Sequence, residues 1–201
     1  MSATTTNALL PPPVESPWLL PDRGRVGMFC LIAAESAIFT IFVVAYVFYI
    51  GKSISGPTPR EVLELPIFNT ICLLSSSLTI HLAISALRKG SRGMFTVLWA
   101  LTMALGTIFL VGTGLEWKKL IYEKGLTIQT NLFGTTYYSL VGLHAFHVTA
   151  GLIGLALVTI FTLFGRVKAE HGERAEVFSL YWHFVDAVWV VVFTVVYVVG
   201  R

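Results

Sequence analysis

This sequence predicts an all-α polytopic membrane protein, a bundle of five transmembrane helices, and three observations carry the prediction. The 201 residues are 55% hydrophobic and only 12% charged, with a mean hydropathy of +0.77, well outside the range of water-soluble domains. The apolar residues gather into five runs, each long enough, at ~1.5 Å rise per residue, to cross a ~30 Å hydrocarbon layer as a helix. Basic residues collect in the short segments between the runs, as in a polytopic chain. Residues 25–201 are therefore read as one transmembrane domain behind an N-terminal tail, 1–24.

That tail carries a threonine run, Pro11-Pro12-Pro13 and Glu15, without the charged-then-apolar order of a secretory signal. The first span is expected over 26–50, introduced by Asp22-Arg23-Gly24-Arg25 and holding Glu35. Gly56-Pro57 and Pro59 mark the following loop as broken by turns. Pro66 suits the first turn of the second span, 66–87, which carries Ser75, Ser76, Ser77, Thr79 and His81, a polar load that suits helix contact better than lipid. After the basic loop 88–93 comes the third span, 94–117, where Gly106, Gly112 and Gly114 would admit close neighbours. Glu116 and Trp117 close it with the residue types of a membrane-water interface. The fourth span, 135–164, contains His144 and His147, and the fifth, 177–200, contains His183 and Asp186.

Five spans place the two termini on opposite sides. With the N-terminus inside, eight Lys and Arg fall inside (Arg23, Arg25, Arg88, Lys89, Arg92, Arg166, Lys168, Arg174) against six outside, which favours a cytoplasmic N-terminus and an outside C-terminus. The net charge of +3 resides in these loops and does not suggest nucleic acid. Cys30 and Cys72 lie within apolar runs, lack the spacing of a metal or haem-attachment motif, and read as buried thiols.

Three spans thus bring ionisable groups into the bilayer: Glu35 from the first, His144 and His147 from the fourth, His183 and Asp186 from the fifth. Three-residue spacing puts each pair on one side of its helix. Relative to the span centres, Glu35 and Asp186 fall ~4 Å and His183 ~8 Å to the inner side, and His147 ~4 Å to the outer side. The groups share one central slab, and depth fixes no particular pair. Such groups are costly in lipid and should find partners inside the bundle. They suit a structural polar network, a surface for a lipid head group or partner subunit, or chemistry at a metal, a haem or a proton path. A di-haem cytochrome would need four spanning histidines, but paired across helices, and a spacing of three crowds that geometry. No internal repeat suggests a transporter.

Residues 133–152, with His144-Ala145-Phe146-His147 at their centre, together with Tyr181-Trp182-His183-Phe184-Val185-Asp186-Ala187-Val188-Trp189, resemble subunit III of the haem-copper terminal oxidases. Glu35-Ser36-Ala37-Ile38-Phe39 and Gly114-Leu115-Glu116-Trp117 extend the likeness, which covers nearly everything after the tail and matches the short, five-helix bacterial form of the subunit. Ala145 departs from the family, where glycine is common.

The resemblance implies a multi-pass subunit of a bacterial inner-membrane, proton-pumping, oxygen-reducing complex of aerobic respiration. It implies that haem and copper lie in partner subunits I and II, that this chain has no catalytic or metal residues and no cofactor of its own, and that a lipid-accessible cleft holds bound phospholipid. Arg23, Arg25 and Arg88 are then the head-group candidates. The wording around Tyr181 to Asp186 looks most like the cytochrome c oxidases, with quinol oxidases as the alternative and a free-standing b-type cytochrome as a further one.

Overall fold

The computed structural model describes residues 23–53, 55–163 and 172–200, apart from the side chains of 161–163 and 172–174. The expected tail therefore lies almost wholly outside the described residues, as does most of the turn between the last two spans. Among the described residues every regular element is a helix. The helices are α1 (Arg23–Tyr49), α2 (Pro59–Val62), α3 (Ile67–Arg88), α4 (Arg92–Tyr122), α5 (Leu132–Leu163) and α6 (Gly172–Phe193), which runs on into a π-helical segment, Thr194–Val199. All but α2 are long and apolar enough to cross a membrane.

The α3–α4 hairpin turns tightly at Gly90, whose φ of +76° lies in the left-handed region where a side chain would be strained. The amides of Gly90 and Ser91 close the end of α3 by donating to the carbonyls of Leu87 and Ala86. Elsewhere the helices are joined by longer segments, which are fastened down. Asn131 donates to the carbonyls of Ser55 and Pro57, and Ser53 Oγ accepts from the amide of Phe133, so the α1–α3 connection is sewn to the start of α5. The single-turn helix α2 inside that connection follows from Pro59 at its first position and from Glu61, which accepts from the amide of Thr58.

In the bundle α6 lies between α1 and α3, α5 lies between α1 and α4, and α5 and α6 touch each other. Trp182 of α6 marks the centre. Its ring is fully buried, and a Cβ added at Gly106 of α4 or Gly151 of α5 would come within 3 Å of it. The two glycines thus make the slot that one tryptophan fills. Gly112 does the same for the side chain of Asn69, whereas Gly114 has open space beside it. The close approach expected at all three glycines of α4 therefore holds for Gly106 and Gly112 only.

α1 is an edge helix with Phe39 and Tyr46 as its buried residues, so most of its surface faces outward. For that reason Cys30 is exposed and not the buried thiol its apolar run suggested, while Cys72 on α3 is buried.

Candidate functional site

Among the described residues, three clusters pair carboxylates with neighbouring helices inside the bundle. In the first, Glu35 of α1 meets His147 of α5, with Nε2 and Oε2 3.0 Å apart. His147 Nδ1 lies 2.8 Å from the carbonyl oxygen of Leu143. A carbonyl only accepts, so Nδ1 carries a hydrogen and Nε2 of the neutral ring is an acceptor. One shared proton must then lie between Nε2 and Oε2, as a carboxylic acid donating to imidazole or as an imidazolium donating to carboxylate. The pair is net neutral either way, which suits a largely buried place against Phe39, whose ring centroid is 4.9 Å from that of His147.

His144 does not join this pair. Residues three apart on a helix differ by about 60° in azimuth, and that offset turns His144 towards α4 and α6. Its ring is fully buried, 4.9 Å from Trp189 and 5.7 Å edge-on from Phe109. Neither ring nitrogen has a hydrogen-bond partner among the described residues.

The second cluster forms where α3 meets α6. Ser77 Oγ lies 3.0 Å from His183 Nδ1 and also donates to Asp186 Oδ2, so one hydroxyl joins both ionisable residues of the last span. One turn to either side, neutral ties repeat the join: Trp182 Nε1 donates to Ser76 Oγ at 2.8 Å, and Trp189 Nε1 to Thr70 Oγ1 at 3.2 Å. Thr70, Ser76 and Ser77 of α3 are thus turned to α6, while Thr79 pairs with Thr102 of α4, their hydroxyl oxygens 2.7 Å apart. The signal for Ser77 was present in the serine run, but which of three serines joins His183 to Asp186 was not.

The third cluster involves Glu116. Tyr197 donates to its Oε1 at 2.9 Å and Tyr137 at 3.3 Å, so a residue read from sequence as interfacial turns into the bundle. Trp117 is half-buried, edge-on to Tyr138 at 5.3 Å. Here α4 continues past the expected end, through Lys118 and Lys119, because a helix satisfies its own backbone and needs no apolar surroundings to continue. Tyr137 and Tyr197 were not singled out from sequence, where tyrosines near a span end pass for membrane-interface residues.

At the other end of the bundle, Glu176 of α6 accepts from Arg25 of α1 and from Arg88 of α3, each at 2.7 Å. Two of the three head-group candidates therefore share one carboxylate, while Arg23 is exposed at the first turn of α1. The three paired residues rim a cleft of ≈ 380 Å³ between α1, α3 and α6 that His81 and His183 also line. Glu176 went unnoticed in the sequence because its run lies at a polar helix start.

Among the described residues no three His, Cys, Asp or Glu side chains converge as metal ligands would. His147 has both ring nitrogens engaged within the chain.

The cytochrome c oxidase subunit III family model matches residues 22–201. The chain is 38% identical to cytochrome c oxidase subunit 3 of Synechocystis sp. over 185 residues, covering 88% of this chain and 76% of the relative. It is 32% identical to the subunit of the same name from Alkalihalophilus pseudofirmus over 201 residues, 98% and 97% of the two chains. It is 33% identical to the cytochrome bo(3) ubiquinol oxidase subunit 3 of Pseudomonas aeruginosa, over 87% and 84%. With that match over almost all of its length and five spans to carry it, the chain belongs to the subunit III family of the terminal oxidases, in its short five-helix form.

Proposed function

We propose that this chain is the non-catalytic subunit III of a proton-pumping cytochrome c oxidase, seated in a bacterial inner membrane with its N-terminus cytoplasmic. It packs against subunits I and II, which hold the haem and copper, and it keeps the catalytic subunit stable and supplied with protons. The observation that carries this reading is how the chain uses its ionisable groups. Glu35 with His147, Ser77 with His183 and Asp186, and Glu176 with two arginines each tie one helix to another, as a scaffold requires. Extraction in mild detergent tests it: haem- and copper-bearing partners should accompany the chain, and complex stripped of it should lose activity faster during turnover. A chain that runs alone, or one with a stoichiometric Soret band of its own, overturns the reading.

A quinol oxidase is the second reading, because the relative of that class is as similar (33%) as one of the cytochrome c class (32%). Turnover with reduced cytochrome c and with a quinol, measured on the same complex, separates the two.

Bound phospholipid belongs to the same proposal. Two guanidiniums and one carboxylate leave the rim of the cleft with a net charge of +1, the complement of a monoanionic phosphodiester. Native mass spectrometry after gentle extraction checks it, and a chain that retains no phospholipid counts against the site.

A further inference from the structure

Asp186 is 3% exposed, lies in the middle of a membrane span, and leaves Oδ1 without a partner among the described residues. An ionisable group at that depth carries a desolvation penalty that a neutral side chain does not. Holding α3 to α6 does not require it, since the Trp182–Ser76 and Trp189–Thr70 bonds do so one turn to either side with neutral groups. The carboxyl therefore needs a reason beyond packing.

The hydrogen bonds around it form a line. His183 lines the cleft, its Nδ1 contacts Ser77 Oγ, and Ser77 Oγ contacts Asp186 Oδ2. His183 Nε2 has no hydrogen-bond partner among the described residues. The same atom positions hold two proton arrangements. With Asp186 ionised, Nδ1–H donates to Ser77 and Ser77 donates to the carboxylate. With Asp186 protonated, the acid donates to Ser77 and Ser77 donates to a bare Nδ1, the ring now carrying its hydrogen on Nε2.

We propose that His183, Ser77 and Asp186 form a proton-binding site in which Asp186 exchanges protons with the cleft end of the bundle through the serine hydroxyl. A proton arriving at His183 Nε2 lets Nδ1 release its own to Ser77 Oγ, and Ser77 passes its original proton to Asp186 Oδ2. One proton is taken up, the carboxylate becomes the neutral acid, and the ring ends neutral in its other tautomer. The reverse sequence releases the proton and restores the start.

The charged and titratable groups around the line are His81 and Arg88 of α3, Arg25 of α1 and Glu176 of α6, all lining the cleft. The α5 histidines are directed elsewhere, His147 to Glu35 and His144 to Phe109 and Trp189. The proposal rests on this chain alone and not on the electron donor or partners proposed above.

The test is infrared spectroscopy of the full chain in phospholipid nanodiscs, following the shift of carboxyl stretches on exchange into D2O. A protonated-carboxyl band that disappears in Asp186→Asn identifies the group. In Ser77→Ala that band should persist and its deuterium shift should slow by roughly tenfold or more, because the positioned proton carrier is gone. Ser77→Thr should restore the rate. His183→Gln should also slow it, and carries the test if Ser77→Ala does not fold. An unchanged exchange rate in these variants, or no band sensitive to Asp186→Asn between about pH 5 and 9, overturns the proposal. A purely structural serine would alter stability and leave the rate alone.

Discussion

Replacing Glu35 by glutamine and by alanine separates a neutral hydrogen bond from an ion pair at the α1–α5 contact. Because Leu143 holds the hydrogen on His147 Nδ1, Nε2 is free to accept, and a glutamine amide can donate to it from the carboxyl's place. Alanine leaves Nε2 orphaned. An unsatisfied buried group costs about 1–3 kcal/mol in general, while side-chain bonds between membrane helices average about 0.6 and reach about 1.7 kcal/mol. The side chains are 8% exposed at His147 and 22% at Glu35, so water reaches part of the gap and the lower range applies. The expected loss is about 1 kcal/mol for Glu35→Ala and less than about 0.5 kcal/mol for Glu35→Gln. Reversible unfolding in mixed detergent micelles reads the difference. If the pair is ionic, both variants lose the charge interaction and their losses should be alike. Equal losses in the two variants would refute the neutral-pair reasoning.

The glycine slot for Trp182 gives a packing prediction: Gly106→Ala and Gly151→Ala should each destabilise the bundle by about 1–3 kcal/mol in the same unfolding assay, and Gly114→Ala should not. Glu176→Gln removes the carboxylate that Arg25 and Arg88 share, raising the charge of that trio from +1 to +2, so native mass spectrometry should find more anionic phospholipid retained. Glu64, in the segment before α3, is held below its ordinary 4.5 by its hydrogen bond from Lys119 and by the charges of Lys119 and Lys124. A depressed carboxyl stabilises the folded form above its unfolded value, and that contribution disappears as pH falls through the folded one. Amide exchange at Glu61 and Leu63, whose N–H groups donate to Thr58 and Pro59, should accordingly lose protection as pH drops below 4.5, and Glu64→Gln should flatten that dependence.

The five spans were legible in the sequence because the bilayer imposes them. A run of about twenty apolar residues must be helical in lipid, where every backbone amide needs a partner within its own segment. The observed helices differ from the expected spans mainly at their ends. α4 passes Trp117 by more than a turn, with the polar Lys118 and Lys119 continuing the helix beyond the apolar run, and α5 begins three residues early, at Leu132. The sequence also marked the ionisable residues that lie at depth.

What it did not give was their partners. That His147 and not His144 meets Glu35, that Ser77 and not Ser75 joins His183 to Asp186, and that Glu116 turns towards Tyr137 and Tyr197 all depend on how each helix is rotated about its own axis. In a soluble bundle an apolar stripe reveals that rotation, because one face must leave water. Here lipid and protein interior are equally apolar, the spans are hydrophobic on every side, and no stripe distinguishes the buried face. The rotation is decided instead by where two small residues admit a ring, as Gly106 and Gly151 admit Trp182, and by which polar groups meet across the contact. Those are properties of pairs of helices, and only the tertiary structure contains them.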